Sequence, residues 1–135
     1  MGTPNRSWPS DQSALLRPPR RPTAAVGEDK ERLACAYLEG RGLRLVARNY
    51  RCRRGEIDLV MGDGDMLVFV EVRFRASTRF GTPAETIGIR KQRRLAAAAA
   101  HYLLRHPTNA ACRFDVLAIT GKNEMDWIQN AFDVD

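Results

Sequence analysis

An α/β domain is predicted by three features of the chain. Apolar residues recur at helical spacing before Gly40, two strand-like runs flank Gly62-Asp63-Gly64-Asp65, and an alanine-rich helical segment separates that pair from a further strand. Elements that alternate in this way bury their apolar faces on one shared sheet. At 135 residues the chain can build one such core but not two.

Residues 1–22 hold five of the seven prolines among scattered Ser and Arg, a composition that cannot easily form a packed element. A disordered tail is expected there, and a single domain over residues 23–135. From about Val26 to Gly40, Leu33, Ala34, Tyr37 and Leu38 fall on one helical face, with Gly40 and Gly42 as stop signals. LRLVARNY then alternates apolar and polar residues as a half-buried strand does, running to an arginine-rich corner at Arg51 to Gly55. GEIDLVM and MLVFVEVRF read as the two arms of a β-hairpin. A loop from Phe74 to Pro83 precedes a helix over about Ile87 to His106, whose five alanines, Ala96 to Ala100, suit close packing on the sheet. CRFDVLAIT, Cys112 to Thr120, reads as a strand, Gly121 to Glu124 as its turn, and Trp127 to Phe132 as a short apolar piece that packs back on the core.

Centring the hairpin on Asp63-Gly64 puts Asp58 opposite Phe69, Val60 opposite Leu67 and Glu56 opposite Glu71. Side chains alternate along a strand, so Asp58, Glu71 and Arg73 project from one side. Asp58 and Glu71 become diagonal neighbours, roughly 7 to 8 Å apart and within reach of one cation.

No stretch approaches the roughly 18 apolar residues of a membrane-spanning helix, and the basic first 22 residues lack the apolar core of a secretory signal. A soluble, cytoplasmic protein with no membrane partner is the expectation. Cys35, Cys52 and Cys112 are widely spaced with no C-x-x-C pair, which argues for reduced, structural cysteines. His101 and His106 are five apart and cannot share a helix face as two metal ligands would.

The net charge of +6 is unevenly distributed: residues 41–94 hold 13 Lys and Arg against 6 acids, whereas the remainder holds 9 against 10. A basic middle on a near-neutral background suits a phosphate backbone, because Lys and Arg displace its condensed counterions. Arg51, Arg53, Arg54, Arg75, Arg79, Arg90, Arg93 and Arg94 are the candidate contacts to nucleic acid. A plain solvated arginine-rich face is the alternative.

Asp58 and Glu71 sit inside apolar strand sequence, an arrangement that costs free energy unless a cation compensates. A hard cation such as Mg²⁺ or Mn²⁺ needs only one or two carboxylates plus waters, and it is the cofactor that phosphodiester cleavage requires. A structural ion pair of either acid with Arg73 or Arg113 is the competing account.

Taken together, Glu31 on a helix, Gly55-Glu56-Ile57-Asp58, Phe69-Val70-Glu71-Val72-Arg73, Lys91-Gln92 opening a helix, Arg113-Phe114-Asp115, Trp127-Ile128 and Ala131-Phe132 form a pattern that resembles the YraN family. That family is largely uncharacterised and is grouped with Holliday-junction-resolvase-like endonucleases of the PD-(D/E)XK superfamily. The resemblance spans about residues 26 to 132. It implies a restriction-endonuclease-like mixed sheet flanked by helices, with an active site along one hairpin edge. It further implies a metal-dependent endonuclease acting on structured or branched nucleic acid, DNA before RNA, with a homodimer as one expectation.

By the same resemblance Asp58 and Glu71 are the metal carboxylates, and Glu31 is a further ligand or water orienter. Acids at Glu28, Asp29 and Glu31 are equally what a helix's first turn favours. Lys30 stands where the family has a small residue. Arg73 stands where the superfamily has lysine; it cannot act as a general base, though it can clamp a phosphate. The base would then be a water or a displaced lysine such as Lys91. A nucleic-acid-binding module of the same fold without cleavage is the second functional expectation, and a protein-interaction domain the third.

Overall fold

The computed structural model describes residues 22–75 and 87–133. The tail expected over residues 1–22 lies, apart from Pro22, outside the described residues, and so does the loop beyond Arg75. In chain order the elements are α1 (Pro22–Gly40), β1 (Arg44–Cys52), β2 (Gly55–Asp63), β3 (Met66–Arg75), α2 (Ile89–Arg105), β4 (Cys112–Thr120) and β5 (Met125–Ile128). Helix α1 starts earlier than its apolar spacing suggests. Pro22 suits a first helical position, where its missing N–H would have had no partner.

The strands form one five-stranded sheet in the order β1-β2-β3-β4-β5. All neighbours are antiparallel except β3 and β4, which run parallel and are joined by the segment that contains α2. This is a mixed α/β sheet consistent with the restriction-endonuclease-like architecture that the sequence implied. Among the described residues no helix is long and apolar enough to cross a membrane.

Period-two patterning divides the core between the two faces. Leu59, Met61, Val68, Val70, Leu117 and Ile119 pack with Ala34, Cys35 and Leu38 of α1. Ile57, Val60 and Phe69 pack with Ala98, Ala99 and Tyr102 of α2. The alanine run behaves as its small side chains allow: Ala98 and Ala99 are buried with Leu95 and Tyr102, at helical spacing, whereas Ala100 faces solvent. Phe132 stacks on Phe114 with ring centroids 5.0 Å apart, so the closing apolar piece does return to the sheet.

The hairpin register differs from the expected one by two residues. Asp63 pairs with Met66, Val60 with Phe69 and Leu59 with Val70, leaving Gly64-Asp65 as the turn. Gly64 adopts φ 60, the conformation that a two-residue hairpin with glycine first requires and that Asp63 would resist. A shift of two residues leaves every side chain on its face. It moves Asp58 and Glu71 from diagonal positions to directly opposite ones, one step beyond the Leu59–Val70 pair.

Asp115 organises the far edge of the sheet. Buried to 1% exposure, it accepts hydrogen bonds from Arg113 Nε at 2.9 Å, Trp127 Nε1 at 2.9 Å and the Asn130 N–H at 2.9 Å. Arg113 also pairs with Asp63 at 2.9 Å. The Arg113 charge is thus spent on Asp63 and Asp115, and Asp115 has a structural role.

The β1–β2 turn is pressed against α2. A Cβ added at Gly55 would lie 2.5 Å from the Arg94 carbonyl oxygen, a backbone atom that cannot swing aside. Gly55→Ala should therefore push the turn off α2 and cost about 1–3 kcal/mol, in line with other overpacking substitutions. Urea denaturation would measure this, and an unchanged midpoint would mean that the close approach is not maintained in solution.

Candidate functional site

The sheet forks between β2 and β3. Their backbone ladder ends at Leu59–Val70, after which β2 stays with β1 as far as Cys52–Gly55 while β3 stays with β4 as far as Arg75–Thr120. Asp58 and Glu71 occupy the point of divergence. There the Asp58 Oδ2 accepts the Val72 N–H at 2.8 Å, so a side chain replaces a backbone acceptor. The alternation of β2 also slips at this point: Ile57 packs on the α2 side and Leu59, two residues on, packs on the α1 side.

Glu71 is buried, with 7% exposure, and its carboxyl lies against that of Asp58. Its Oε2 lies 3.6 Å from Lys91 Nζ, which reaches in from the first turn of α2. Glu31 approaches Asp58 from α1. Glu31 from α1 and Glu71 from β3 thus flank Asp58 of β2. Burial, then the charge of Asp58, pushes the Glu71 carboxyl up to about 7, with Lys91 and Arg73 pulling it back. Glu31 is likewise pushed to about 7, by burial first and Asp58 second. Burial also raises Asp58, against the pull of the Val72 N–H.

Among the described residues no three His, Cys, Asp or Glu side chains already stand as a closed set of metal ligands. The donors that do meet are carboxylate oxygens, with Asp58 and Glu71 in contact. Two acids sharing a proton in a buried place are relieved by a divalent cation, and an oxygen-only pair suits Mg²⁺ or Mn²⁺, which complete their shells with water. Asp58 and Glu71 therefore suit a hard cation as a pair of oxygen donors, with water completing its shell.

The family described as "Uncharacterised protein family UPF0102" matches residues 30–119, which include this whole acidic cluster. The chain belongs to that family. It is 52% identical to the UPF0102 protein of Nitrosospira multiformis over 110 residues, covering 80% of this chain and 92% of the relative. It is 53% identical to one from Nitrosococcus oceani over 114 residues, 81% and 92% respectively. A UPF0102 protein of Pseudomonas fluorescens is 48% identical over 118 residues, 85% and 98% respectively.

In this UPF0102 chain the fold brings Glu31, Asp58, Glu71 and Lys91 together, with Arg73 close enough to Glu71 to act on its charge. Glu56 pairs across the ladder with Arg51, its Oε1 3.3 Å from Arg51 Nε, and its charge helps to raise Asp58 and Glu31. Arg53 and Arg54 are exposed on the β1–β2 turn, while Arg90, Arg93 and Arg94 are exposed on α2, which that turn abuts at Arg94. Arg79 lies outside the described residues, and of Arg75 only the backbone is described. Lys30, at the position where a small residue was expected, spans from α1 to the β4–β5 turn. Its Nζ donates to Asn123 Oδ1 at 2.9 Å and sits 4.8 Å from the centre of the Phe74 ring.

Asn49, left-handed at φ 53 opposite Asp58 on β1, is the neighbour of the site that sequence reasoning passed over. An asparagine in an otherwise alternating strand is the available signal, since Asn is disfavoured in strands and tolerates a left-handed backbone.

The raised carboxyls make the cation-free protein pH-sensitive. Each binds its proton more tightly folded than unfolded, so the stability it adds is complete below the ordinary glutamate range and is lost as pH rises through about 7. In chelator, the melting temperature should fall between about pH 5 and about pH 8. Glu71→Gln should melt above wild type at the upper end, by on the order of 3 kcal/mol at most. Identical, pH-independent melts of both proteins would show that the carboxyls are not gathered in a buried place.

Proposed function

We propose that the chain is a divalent-cation-dependent nuclease that hydrolyses phosphodiester bonds in structured or branched nucleic acid, with DNA the first candidate. The observation that carries this reading is the contact between Asp58 and Glu71 at the fork of β2 and β3, with Lys91 beside them. Lys91 opens the helix that also presents Arg90, Arg93 and Arg94 to solvent. A phosphodiester seated at the fork would thus extend over a basic helix and the Arg53-Arg54 turn.

Asp58 and Glu71 would hold Mg²⁺ or Mn²⁺, and Glu31 would complete or orient the set. When bound, such a cation polarises a phosphoryl oxygen and acidifies a water. Lys91 would offset charge on the reacting phosphate, and Arg73 could clamp a non-bridging oxygen pair. Arginine stays protonated and takes no proton from the attacking water. A specific observation therefore favours a second reading, a nucleic-acid-binding protein without cleavage: Arg73 where the superfamily pattern has lysine.

One experiment separates the two. Single-stranded, duplex, flap and four-way-junction substrates are incubated with Mg²⁺ or Mn²⁺. Cleavage is expected, with chelation stopping it and Asp58→Asn lowering the rate by at least about 100-fold while binding is retained. Arg73→Lys would raise the rate if arginine is a loss of function and lower it if arginine is an adapted clamp. No scission by either protein, with binding retained, would favour the second reading.

Both readings require phosphate contacts. Affinity for a duplex should fall steeply with salt, and Arg54→Ala and Arg94→Ala should each reduce the slope of log K against log salt by about one. A flat salt response of the wild type would remove nucleic acid as the partner.

A further inference from the structure

Beside α2 the sheet carries an open apolar groove that the acidic cluster does not use. Phe69 of β3 and Phe114 of β4, neighbours in the parallel register with rings 5.6 Å apart, form its floor. Ala96, Ala100 and Leu103 of α2 form one wall, and the exposed Cys112 borders it on β4. The space between them is about 430 Å³, a size typical of sites that hold small ligands. It stays open because α2 presents methyl groups where larger side chains would close the gap. Phe132 stacks on Phe114 and fixes that ring. Among the described residues that line the groove, none is charged.

The groove and the fork lie on the same face of the sheet. Glu71 stands two residues beyond Phe69, so both side chains project toward α2, about 7 Å apart along β3. On α2, Lys91 reaches Glu71, and Ala96 follows it by about 8 Å of helix axis. Positive charge continues the same line. Arg90, Arg93, Ala97 and Ala100 succeed one another at spacings of three, four and three, which puts the two exposed arginines on the stripe that goes on to line the groove. An anionic chain that carries a flat, largely apolar group at each repeat matches this order of surfaces: its phosphates meet the arginines and its ring meets the groove.

We propose that the groove between α2 and β4 takes an unpaired nucleobase from a strand whose backbone runs over Arg90 and Arg93 to the fork. The nucleic acid that fits is then one with an unpaired nucleotide beside the phosphate held at Asp58, Glu71 and Lys91. This rests on the nucleic-acid reading given above and narrows it. In an uninterrupted duplex every base is stacked and paired and has to be extruded first, whereas a single strand, flap or junction offers bases that are already free. Contact with Phe114, Leu103 and the alanine methyls needs no particular hydrogen-bonding edge, so the groove recognises an unpaired base of any identity.

The test measures binding in chelator, so that no strand is cut, with three DNA probes: a short single strand, the same strand with abasic positions, and the matching duplex. The abasic strand keeps every phosphate and should bind about tenfold more weakly than the intact one, the scale of one lost base contact. Ala100→Leu changes an exposed helical position to another good helix former and fills the groove. It should weaken single-strand binding by about tenfold and leave duplex binding as in the wild type. Cys112 reports on the groove in the unaltered protein: its alkylation, followed by mass spectrometry of its peptide, should slow when the single strand is bound and not when the duplex is. Equal affinity for intact and abasic strands, unchanged single-strand affinity in Ala100→Leu, or full Cys112 reactivity in the single-strand complex would overturn the proposal, while salt-dependent binding would leave the nucleic-acid reading standing. Wild-type protein that binds none of the probes would overturn that reading and this one with it. Cys112 that becomes protected without DNA, in step with dimer formation, would assign the groove to a second copy of the chain and overturn the proposal.

Discussion

The Asp58 carboxylate accepts the Val72 N–H at 2.8 Å at the point where the β2–β3 ladder stops, after Leu59 and Val70. A sheet that divides leaves backbone groups without partners on the inner edges of the fork, and burying them unpaired would be costly. Asp58 meets part of that need with a side chain. In doing so it brings a negative charge into the interior, and Glu71, Glu31 and Lys91 are arranged around that charge.

The cluster is balanced on a narrow margin. Glu31 and Glu71 are each pushed up to about 7 by burial and by Asp58, and Lys91 is the cation that pulls Glu71 back. By contrast, Asp115 is more deeply buried yet fully served by Arg113, Trp127 and the Asn130 N–H. The two buried acids of β3 and β4 thus have different chemistry. Asp115 is closed by its partners within the chain, whereas Glu71 has Lys91 at 3.6 Å and the like charge of Asp58 beside it. That contrast, rather than burial alone, makes the fork the candidate site.

The helices contribute in unequal ways. Helix α1 seals one face through Ala34, Cys35 and Leu38 and delivers Glu31 from the same element. Helix α2 seals the other face with Ala98, Ala99 and Tyr102 and delivers Lys91 from its first turn. Small residues on α2 let it lie close to the sheet, and Gly55 lets the arginine-bearing turn approach it. Packing and charge placement are therefore coupled: the side of α2 away from its buried stripe carries the arginines that the core cannot accept.

Much of this was legible in the chain. The strands, the hairpin, the alanine helix and the shared face of Asp58 and Glu71 follow from apolar periods of two and of 3.6, which are local properties. What local pattern could not decide was the hairpin register, because two turn positions two residues apart in effect keep every side chain on the same face; the φ of Gly64 selected one. Nor could it place Lys91 beside Glu71 or Glu31 beside Asp58, since those contacts depend on how two helices pack on opposite faces of the sheet. Asn49 illustrates the limit most clearly. Its residue type permits a left-handed turn in many settings, and only the ladder of the folded sheet puts that turn opposite Asp58. Sequence by itself determined which residues can be buried and on which face, because that is settled by side-chain chemistry and strand or helix period. Tertiary structure decided which charges meet, because burial makes their interaction strong only once distant elements have excluded water from around them.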